Sequence, residues 1–493
     1  MATTEKEIFE RARLARDVRF DGRFFIGVKT TGIYCRPICP ANLPRSENVT
    51  FYPTAAAAAE NGFRPCLRCR PESAPGTPAW SGTSVTVQRG LRLIASGALD
   101  SGDIETLSDR LGVSSRHLRR LFKQHLGASP LAVAHTQRLH FAKQLIDEGQ
   151  LPLNQVAIAA GYGSVRRFND TFRNTYNRTP GELRKLRNRY AGKRPSTASS
   201  FTVALPFRDP FHWQTILRYF AGRAIPGVES VDHEGYKRTI SMEGSDGILE
   251  IRNAENEGQL QLTIHGIETC HLFQAVQKAR MMLDLDAPIN EITKILGQDP
   301  LLSPQLKSLP GIRVPGCWDG FELAVRTILG QQISVAGAST MTGRLAAAHG
   351  RLFKPDICNE KHAPGLLFPG PENLVDAPLE KSGIISSRAT AIRTLARSVL
   401  DGAISFDTTQ DPESFEKGLT AIKGIGDWTA QYLLMRVLRD PDAFPASDLG
   451  LRKSAGAKKP ISTGELKKQS QEWRPWRAYA AMLLWQKPDS SGG

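Results

Sequence analysis

The sequence predicts a multidomain α+β chain, and three observations predict it. At roughly 100 to 200 residues per domain, 493 residues imply three or four separate cores. Four of the seven cysteines crowd into residues 35–69, and the region after them is helical and twice repeats one plan. Alternating segments between about residues 239 and 265 then give way, beyond Leu283, to helical periodicity that runs to the end. The charge is distributed as unevenly as the structure. Residues 1–82 carry 12 Lys+Arg against 8 Asp+Glu, residues 83–194 carry 19 against 8, and residues 195–493 carry 33 against 33. A basic first half beside a neutral second half predicts that the first half grips a polyanion, namely nucleic acid. There is no apolar run near the ~20 residues of a membrane span, and the start, MATTEKEIFERARLARD, lacks the apolar core of a signal peptide. The reading is a cytoplasmic, nucleoid-associated protein with no membrane partner, and the clustered thiols fit a reducing compartment.

Residues 1–82 form the first domain. Cys35-Arg-Pro-Ile-Cys39 and Cys66-Leu-Arg-Cys69 give C-x3-C and C-x2-C separated by 26 residues, a spacing that lets two turns present four thiolates to one zinc ion. Most such sites are purely structural. The surrounding stretches FFIGVKTTGIYCRPICP and ENVTFYPTAAAAAENGFRPCLRCRPE, however, resemble the small α/β zinc domain of Ada-type alkylation sensors. That resemblance implies that Cys35 accepts a methyl group from a DNA phosphotriester, with Cys39, Cys66 and Cys69 completing the site. A zinc-bound cysteine stays a thiolate at neutral pH, so the ligand can be the nucleophile.

After the Gly/Ser/Thr/Pro-rich stretch TPAWSGTSV, residues 83–190 read as an all-α domain. IETLSDRLGVSSRHLRRLFKQHL places Gly112 between two apolar-faced helices, and LNQVAIAAGYGSVRRFNDTF repeats the plan with Gly161. The second helix of each unit offers Ser115, Arg116, Arg119 and Arg120, then Ser164, Arg166, Arg167 and Asn169. An ordinary bundle with a basic solvated face is the plainer reading, but the motif recurs. With the trailing NRTPGELRK, the pattern resembles the paired helix-turn-helix domain of AraC-type activators, which also follows the zinc site in Ada-type sensors. Two recognition helices in successive major-groove turns would read an asymmetric promoter as a monomer, with RNA polymerase as a further partner.

Residues 191–200 read as a linker, YAGKRPSTASS being polar and aperiodic. Residues 201–283 then predict an antiparallel sheet with flanking helices, from TISM, GILEIRN and GQLQLTIHG. Residues 284–493 predict an all-α domain. Within it Lys423-Gly424-Ile425-Gly426-Asp427 lies between two apolar helical segments and reads as a helix-hairpin-helix turn, with the amides of Gly424, Gly426 and Thr429 facing a DNA phosphate. About twenty residues on comes Phe444-Pro445-Ala446-Ser447-Asp448. The bland reading is a loop closed by a capping Asp.

GIGDWTAQY and FPASD, together with PFRDPFHWQTILRYFAGRAIPGVE, PGCWDGFELAVRTILGQQISVAGA and WRPWRAYAAMLLW, resemble the AlkA-type 3-methyladenine DNA glycosylases. That resemblance implies a cleft lined by Trp428, Tyr432 and Trp485, Asp448 stabilising the cationic sugar, Gln332 wedged into the gap left by a flipped base where the family often has leucine, and a monovalent cation at the hairpin turn. Stacking of an electron-poor base on aromatic faces suits cation–π attraction. Related glycosylases that nick the strand carry a lysine where Trp428 stands, so the expected product is an abasic site. The Pro-Cys-His-Arg centre of a second methyltransferase is missing, and Cys270, Cys317 and Cys358 read as structural. The whole reads as an alkylation-damage sensor, regulator and monofunctional glycosylase acting on double-stranded DNA. The alternative is a regulator with a weak or inactive glycosylase half.

Overall fold

The computed structural model describes residues 4–74, 85–100, 102–148, 151–191, 200–254, 258–353, 364–408, 410–456 and 459–486. Apart from their ends, the two stretches expected to be linkers lie outside these residues, as does Cys358.

The first domain opens with α1 (Glu5–Leu14) and builds a four-stranded sheet in the order β3-β1-β2-β4 from β1 (Phe25–Val28), β2 (Ile33–Cys35), β3 (Val49–Tyr52) and β4 (Arg64–Pro65), with α2 (Ala55–Glu60) packed against it. Phe24, Ile26 and Val49 bury on one side with Phe9, while Phe25 and Tyr34 bury on the other with Ala55 and Ala58. Cys35 closes β2, and the parallel pairing of β2 with β4 brings the Cys66–Cys69 turn beside it.

Seven helices follow: α3 (Val85–Ala95), α4 (Ile104–Leu111), α5 (Ser115–Leu126), α6 (Pro130–Glu148), α7 (Leu153–Ala159), α8 (Val165–Tyr176) and α9 (Pro180–Ala191). The repeat read from the sequence has a local cause. Gly112 and Gly161 take φ of +68° and +73° in the turns of the two units, a conformation that disfavours any β-carbon. Ser114 and Ser164 then cap α5 and α8, their hydroxyls accepting from the amides of His117 and Arg167.

The second half begins with β5 (Ser200–Pro206), α10 (Trp213–Ala221), β6 (Glu229–Val231), β7 (Gly235–Met242), β8 (Ser245–Asn253), β9 (Gln259–His265) and α11 (Leu272–Leu283). Its five strands form one antiparallel sheet in the order β5-β9-β8-β7-β6. The remainder is helical: α12 (Ile289–Leu296), α13 (Ser303–Ser308), α14 (Gly320–Leu329), α15 (Val335–His349), α16 (Pro371–Leu374), α17 (Ser386–Leu400), α18 (Pro412–Thr420), α19 (Asp427–Arg436), α20 (Leu449–Ala455), α21 (Thr463–Gln469) and α22 (Arg477–Trp485). A two-residue strand pair, Arg351–Leu352 with Leu366–Leu367, interrupts the helical run expected beyond Leu283. Among the described residues, no helix is long and apolar enough to cross a membrane.

The apolar cores do not follow the boundaries suggested by composition. Phe141, Leu145, Phe168 and Phe172 of the helix-turn-helix region share one buried cluster with Val203, Leu249 and Leu262 of the sheet. Phe141 packs against Phe273 at a ring distance of 4.9 Å, and Gln144 donates to the Ala204 carbonyl. The polar linker therefore joins two regions that bury apolar surface against each other.

Candidate active site and metal centre

The cleft in the second half forms where α10, α14, α19, α20 and α22 converge, and it encloses about 420 Å³. Gly424, at φ +99°, makes the hairpin turn, and Gly426 N-caps α19 without a side-chain hydrogen bond, which leaves the first-turn amides uncapped. Trp428, Tyr432 and Arg436 follow at four-residue spacing, so the helix presents them on one face.

Asp448 N-caps α20 and faces the cleft. Its Oδ1 accepts from the Leu451 amide at 2.9 Å and from Trp485 Nε1 at 3.0 Å, and its Oδ2 accepts from Trp428 Nε1 at 2.8 Å. The capping role and the cleft role thus belong to the same carboxylate. Three donors with no acceptor opposite them match the ionised, acceptor-only form. Gly450 makes this approach possible, since a Cβ there would sit 3.0 Å from Asp448 Oδ1.

Trp428, Tyr432, Trp485 and Asp448 therefore meet. Trp428 and Tyr432 stack on each other at 5.5 Å and 13°, while Tyr432 and Trp485 meet edge to face at 6.2 Å. A planar base between two rings needs roughly 7 Å, twice the ~3.5 Å contact distance of carbon atoms, so it cannot enter between Trp428 and Tyr432. It must stack on an outer face. Tyr219 of α10, absent from the sequence reading, adds another wall, its hydroxyl 3.4 Å from that of Tyr432. Arg223 lies 4.1 Å from the Tyr219 ring centroid and Arg436 4.7 Å from it. The four-residue spacing after Tyr432 was the signal that could have placed Arg436; nothing local to TILRYFAGRA identified Tyr219.

Gln332 sits in the loop between α14 and α15, exposed and at φ +56°, a left-handed conformation uncommon outside glycine. Its neighbour Gln331 donates to the Gly424 carbonyl at 2.9 Å and to Thr429 Oγ1 at 3.3 Å, and Arg388 donates to the Gln331 carbonyl. The loop is thus tied to the hairpin. Ile333 and Val335 extend its exposed edge with apolar surface. Thr429 is buried, so its side chain serves this tie and faces no solvent.

In the first domain the ligand atoms of Cys35, Cys39, Cys66 and Cys69 lie within 4.8 Å of one another. Four sulfurs ~2.3 Å from one tetrahedral zinc would lie about 3.8 Å apart, so the donor set fits that ion. The Arg36 amide donates to Cys69 Sγ at 3.3 Å, which disperses thiolate charge. Cys35 is the most exposed of the four, the other three being buried. Arg36 itself turns inward, paired through its guanidinium with buried Asp21.

Arg116, Arg119 and Arg120 on α5 and Arg166 and Arg167 on α8 are exposed, with Ser115 and Asn169 half-buried beside them. The Ser164 hydroxyl is engaged as a helix cap. Cys317 lies in the cleft wall, where burial pushes its thiol up to about 12, the opposite of what a nucleophile needs. Cys270, read as structural, is exposed beside Glu268 and His271.

Aromatic faces around one rigidly held carboxylate suit cleavage at a sugar carbon, where positive charge develops, and with the hairpin they define the second half as a helix-hairpin-helix DNA glycosylase. The 3-methyladenine DNA glycosylase of Archaeoglobus fulgidus shares this fold, with a TM-score of 0.50 at 20% identity over 57% of this chain and 96% of its own. Family profiles described as the metal binding domain of Ada, a helix-turn-helix domain and the AlkA N-terminal domain match residues 9–72, 107–186 and 202–319. The probable bifunctional transcriptional activator/DNA repair enzyme AlkA of Mycobacterium tuberculosis is 40% identical over 478 residues, 96% of this chain and 95% of that protein. DNA-3-methyladenine glycosylase 2 of Escherichia coli is 30% identical over 57% of this chain and 95% of its own length. The chain belongs to the family of bifunctional transcriptional activator/DNA repair proteins that join an Ada-type first half to an AlkA-type glycosylase.

Proposed function

We propose that this alkylation-response enzyme is a monofunctional glycosylase that releases N-alkylated purines such as 3-methyladenine and 7-methylguanine, fused to a self-methylating regulator. The observation that carries the reading is the Asp448 carboxylate, fixed by two tryptophan N–H groups and a backbone amide at the edge of an aromatic cleft. Alkylation at a ring nitrogen already weakens the bond to the sugar, so the protein must expose the base, hold it, and stabilise the sugar as it becomes cationic. Asp448 supplies the negative charge and orients water. Gln332, with Ile333 beside it, fills the gap in the duplex, and the amides of Gly424, Gly426 and Thr429 hold a phosphate. Among the described residues lining the cleft there is no lysine, which supports hydrolysis without strand cleavage. A monovalent cation at the hairpin rests on family resemblance alone.

In the first domain, Cys35 Sγ attacks the methyl carbon of a DNA phosphotriester. The carbon–oxygen bond breaks, the phosphodiester departs with the electron pair, and Cys35 becomes a thioether. Cys35, Cys39, Cys66 and Cys69 would hold the zinc ion, which when bound would keep Cys35 a thiolate. All four thiols are enclosed, and the choice of Cys35 as the acceptor rests on the resemblance to the Ada metal-binding domain. The recognition helices α5 and α8 then read a promoter, the protein acting as a cytoplasmic monomer alongside RNA polymerase. The domain limits that go with this reading are 1–82, 83–190, 201–283 and 284–493.

The test is base release from a methylated duplex. Asp448→Asn is expected to keep the fold and lose ~10²-fold or more in rate, the scale of one key electrostatic group. Undiminished release would end the assignment, and strand cleavage without added base would contradict the monofunctional reading.

A further inference from the structure

Arg238 and Arg436 are buried in the cleft wall beside half-buried Arg223 and Arg326, and the two buried ones differ in their partners. Arg238 pairs with Glu322 at 2.6 Å and Glu229 at 3.6 Å, and Arg326 reaches Glu229 and Glu322, both at 3.3 Å. Arg436 is 4% exposed and, among the described residues, has no carboxylate partner. Its Nη1 donates to Tyr432 Oη at 2.8 Å, its Nη2 to the Gly316 carbonyl at 3.3 Å, and its Nε–H has no acceptor. The guanidinium lies 4.7 Å from the Tyr219 ring centroid and 5.2 Å from that of Tyr432. Burying a cation without a counter-ion is costly, and the two aromatic faces offset only part of that cost. Burial and the neighbouring Arg439 lower its pKa, to about 9, which leaves it charged at neutral pH. A packing role would be served as well by an uncharged side chain.

Position along α19 suggests what the charge does. Trp428 bonds to Asp448, and Arg436 follows eight residues later with Tyr432 between them, a rise of about 12 Å. A base stacked along this row with its sugar toward Asp448 would have a negative charge at its sugar end and the Arg436 guanidinium toward its far end. We propose that Arg436 is a charge-positioning residue for base departure, forming with Asp448 a field that draws the bonding electron pair from the sugar onto the base. This rests on the glycosylase reading above. When the bond between C1′ and the ring nitrogen breaks, the electron pair goes to the base and a water oxygen joins C1′, losing its proton to solvent. A cationic base leaves neutral, and a neutral one leaves as an anion that takes up a proton. In both cases the charge of the base falls by one, so a buried positive charge favours the transition state over the bound substrate. For a cationic base the same charge opposes binding.

That opposition separates the proposal from a structural role. Single-turnover excision and half-saturating enzyme concentration would be measured on a duplex with one 7-methylguanine, with binding to the same undamaged duplex alongside, for wild type, Arg436→Met and Arg436→Lys. Arg436→Met is expected to lose tenfold or more in rate while needing less enzyme for half-saturation on the damaged duplex, with undamaged-duplex binding unchanged. Arg436→Lys is expected to keep most of the rate. A rate loss without tighter half-saturation, equal weakening on both duplexes, or a lysine variant as slow as the methionine variant would overturn the proposal. The lysine result alone decides the matter if thermal melting shows that Arg436→Met does not fold. Absence of base release by the wild type would instead overturn the glycosylase reading.

Discussion

At the scale of single residues, the two hairpin glycines have different reasons for being glycine. Gly424 takes φ +99°, and a Cβ there would lie 3.3 Å from Ala391 Cβ, so a larger residue strains the turn itself by about 1–3 kcal/mol. Gly426 is extended, with φ −100° and ψ 179°, and a Cβ there would meet nothing within 4 Å. Gly426→Val should therefore melt within a degree or two of wild type yet bind duplex DNA more weakly whatever the sequence, because the added branches occupy the space of the phosphate. Gly424→Val should lower the melting temperature as well. Equal duplex affinity in a stable Gly426→Val variant, measured by fluorescence anisotropy, would count against the amide cradle. The arginines around the zinc site divide in the same way. Arg36 is largely enclosed and committed to Asp21, whereas Arg70 pairs with Asp147 and Glu72 but keeps part of its side chain in solvent. Arg64 and Arg68 reach solvent.

Between elements, the zinc domain is docked on α6, the helix that joins the two helix-turn-helix units. Arg70 and Glu72 meet Asp147 and Lys143 in a network in which three of the four side chains are almost fully buried. Beside it the Tyr34 hydroxyl lies 2.8 Å from His140 Nε2. Burial pushes the His140 imidazole down to about 4, against an ordinary value of 6.5, with Glu72 raising it and Lys143 lowering it by smaller amounts. The unfolded chain therefore binds the extra proton first. This contribution to stability is present above 6.5 and is lost as pH falls toward 4. The Tyr34 hydroxyl can donate to a neutral Nε2 or accept from a protonated one, so the acid sensitivity comes from burial of the imidazole rather than from loss of this bond. The thermal midpoint should fall over that window, with a shallower slope in His140→Gln. Identical slopes in differential scanning calorimetry would exclude His140 as a source of the acid sensitivity.

Over the whole molecule, the basic first half and the thiolate cluster oppose each other. Four thiolates around one zinc ion would carry two net negative charges in the same domain as the solvent-reaching Arg64 and Arg68, and conversion of Cys35 to a thioether would leave one. Repulsion of phosphates must fall. A relief of only ~1.4 kcal/mol would raise promoter affinity about tenfold. Comparison of unmethylated and Cys35-methylated protein on its own upstream DNA over a salt series should show tighter binding after methylation, with a difference that shrinks as salt rises. Equal affinities at low salt would eliminate a charge switch. Because the second helix-turn-helix unit shares a buried cluster with the glycosylase sheet, the sensor and the repair half form one packed body.

The four-cysteine spacing, the repeated helical unit and the hairpin followed by Asp448 were legible in the chain. Each is a local pattern, set by backbone periodicity, turn chemistry or ligand count, and needs no knowledge of distant residues. Tertiary structure decided what those patterns meet. Tyr219 reaches the cleft from 213 residues before its partner Tyr432, Trp428 and Tyr432 turn out to stack on each other, and Arg36 is spent on Asp21. Which arginine finds a carboxylate and which, like Arg436, is buried without one depends on the packing of helices far apart in sequence. No periodicity within a single segment carries that information, because the energy of a buried charge is fixed by everything that surrounds it.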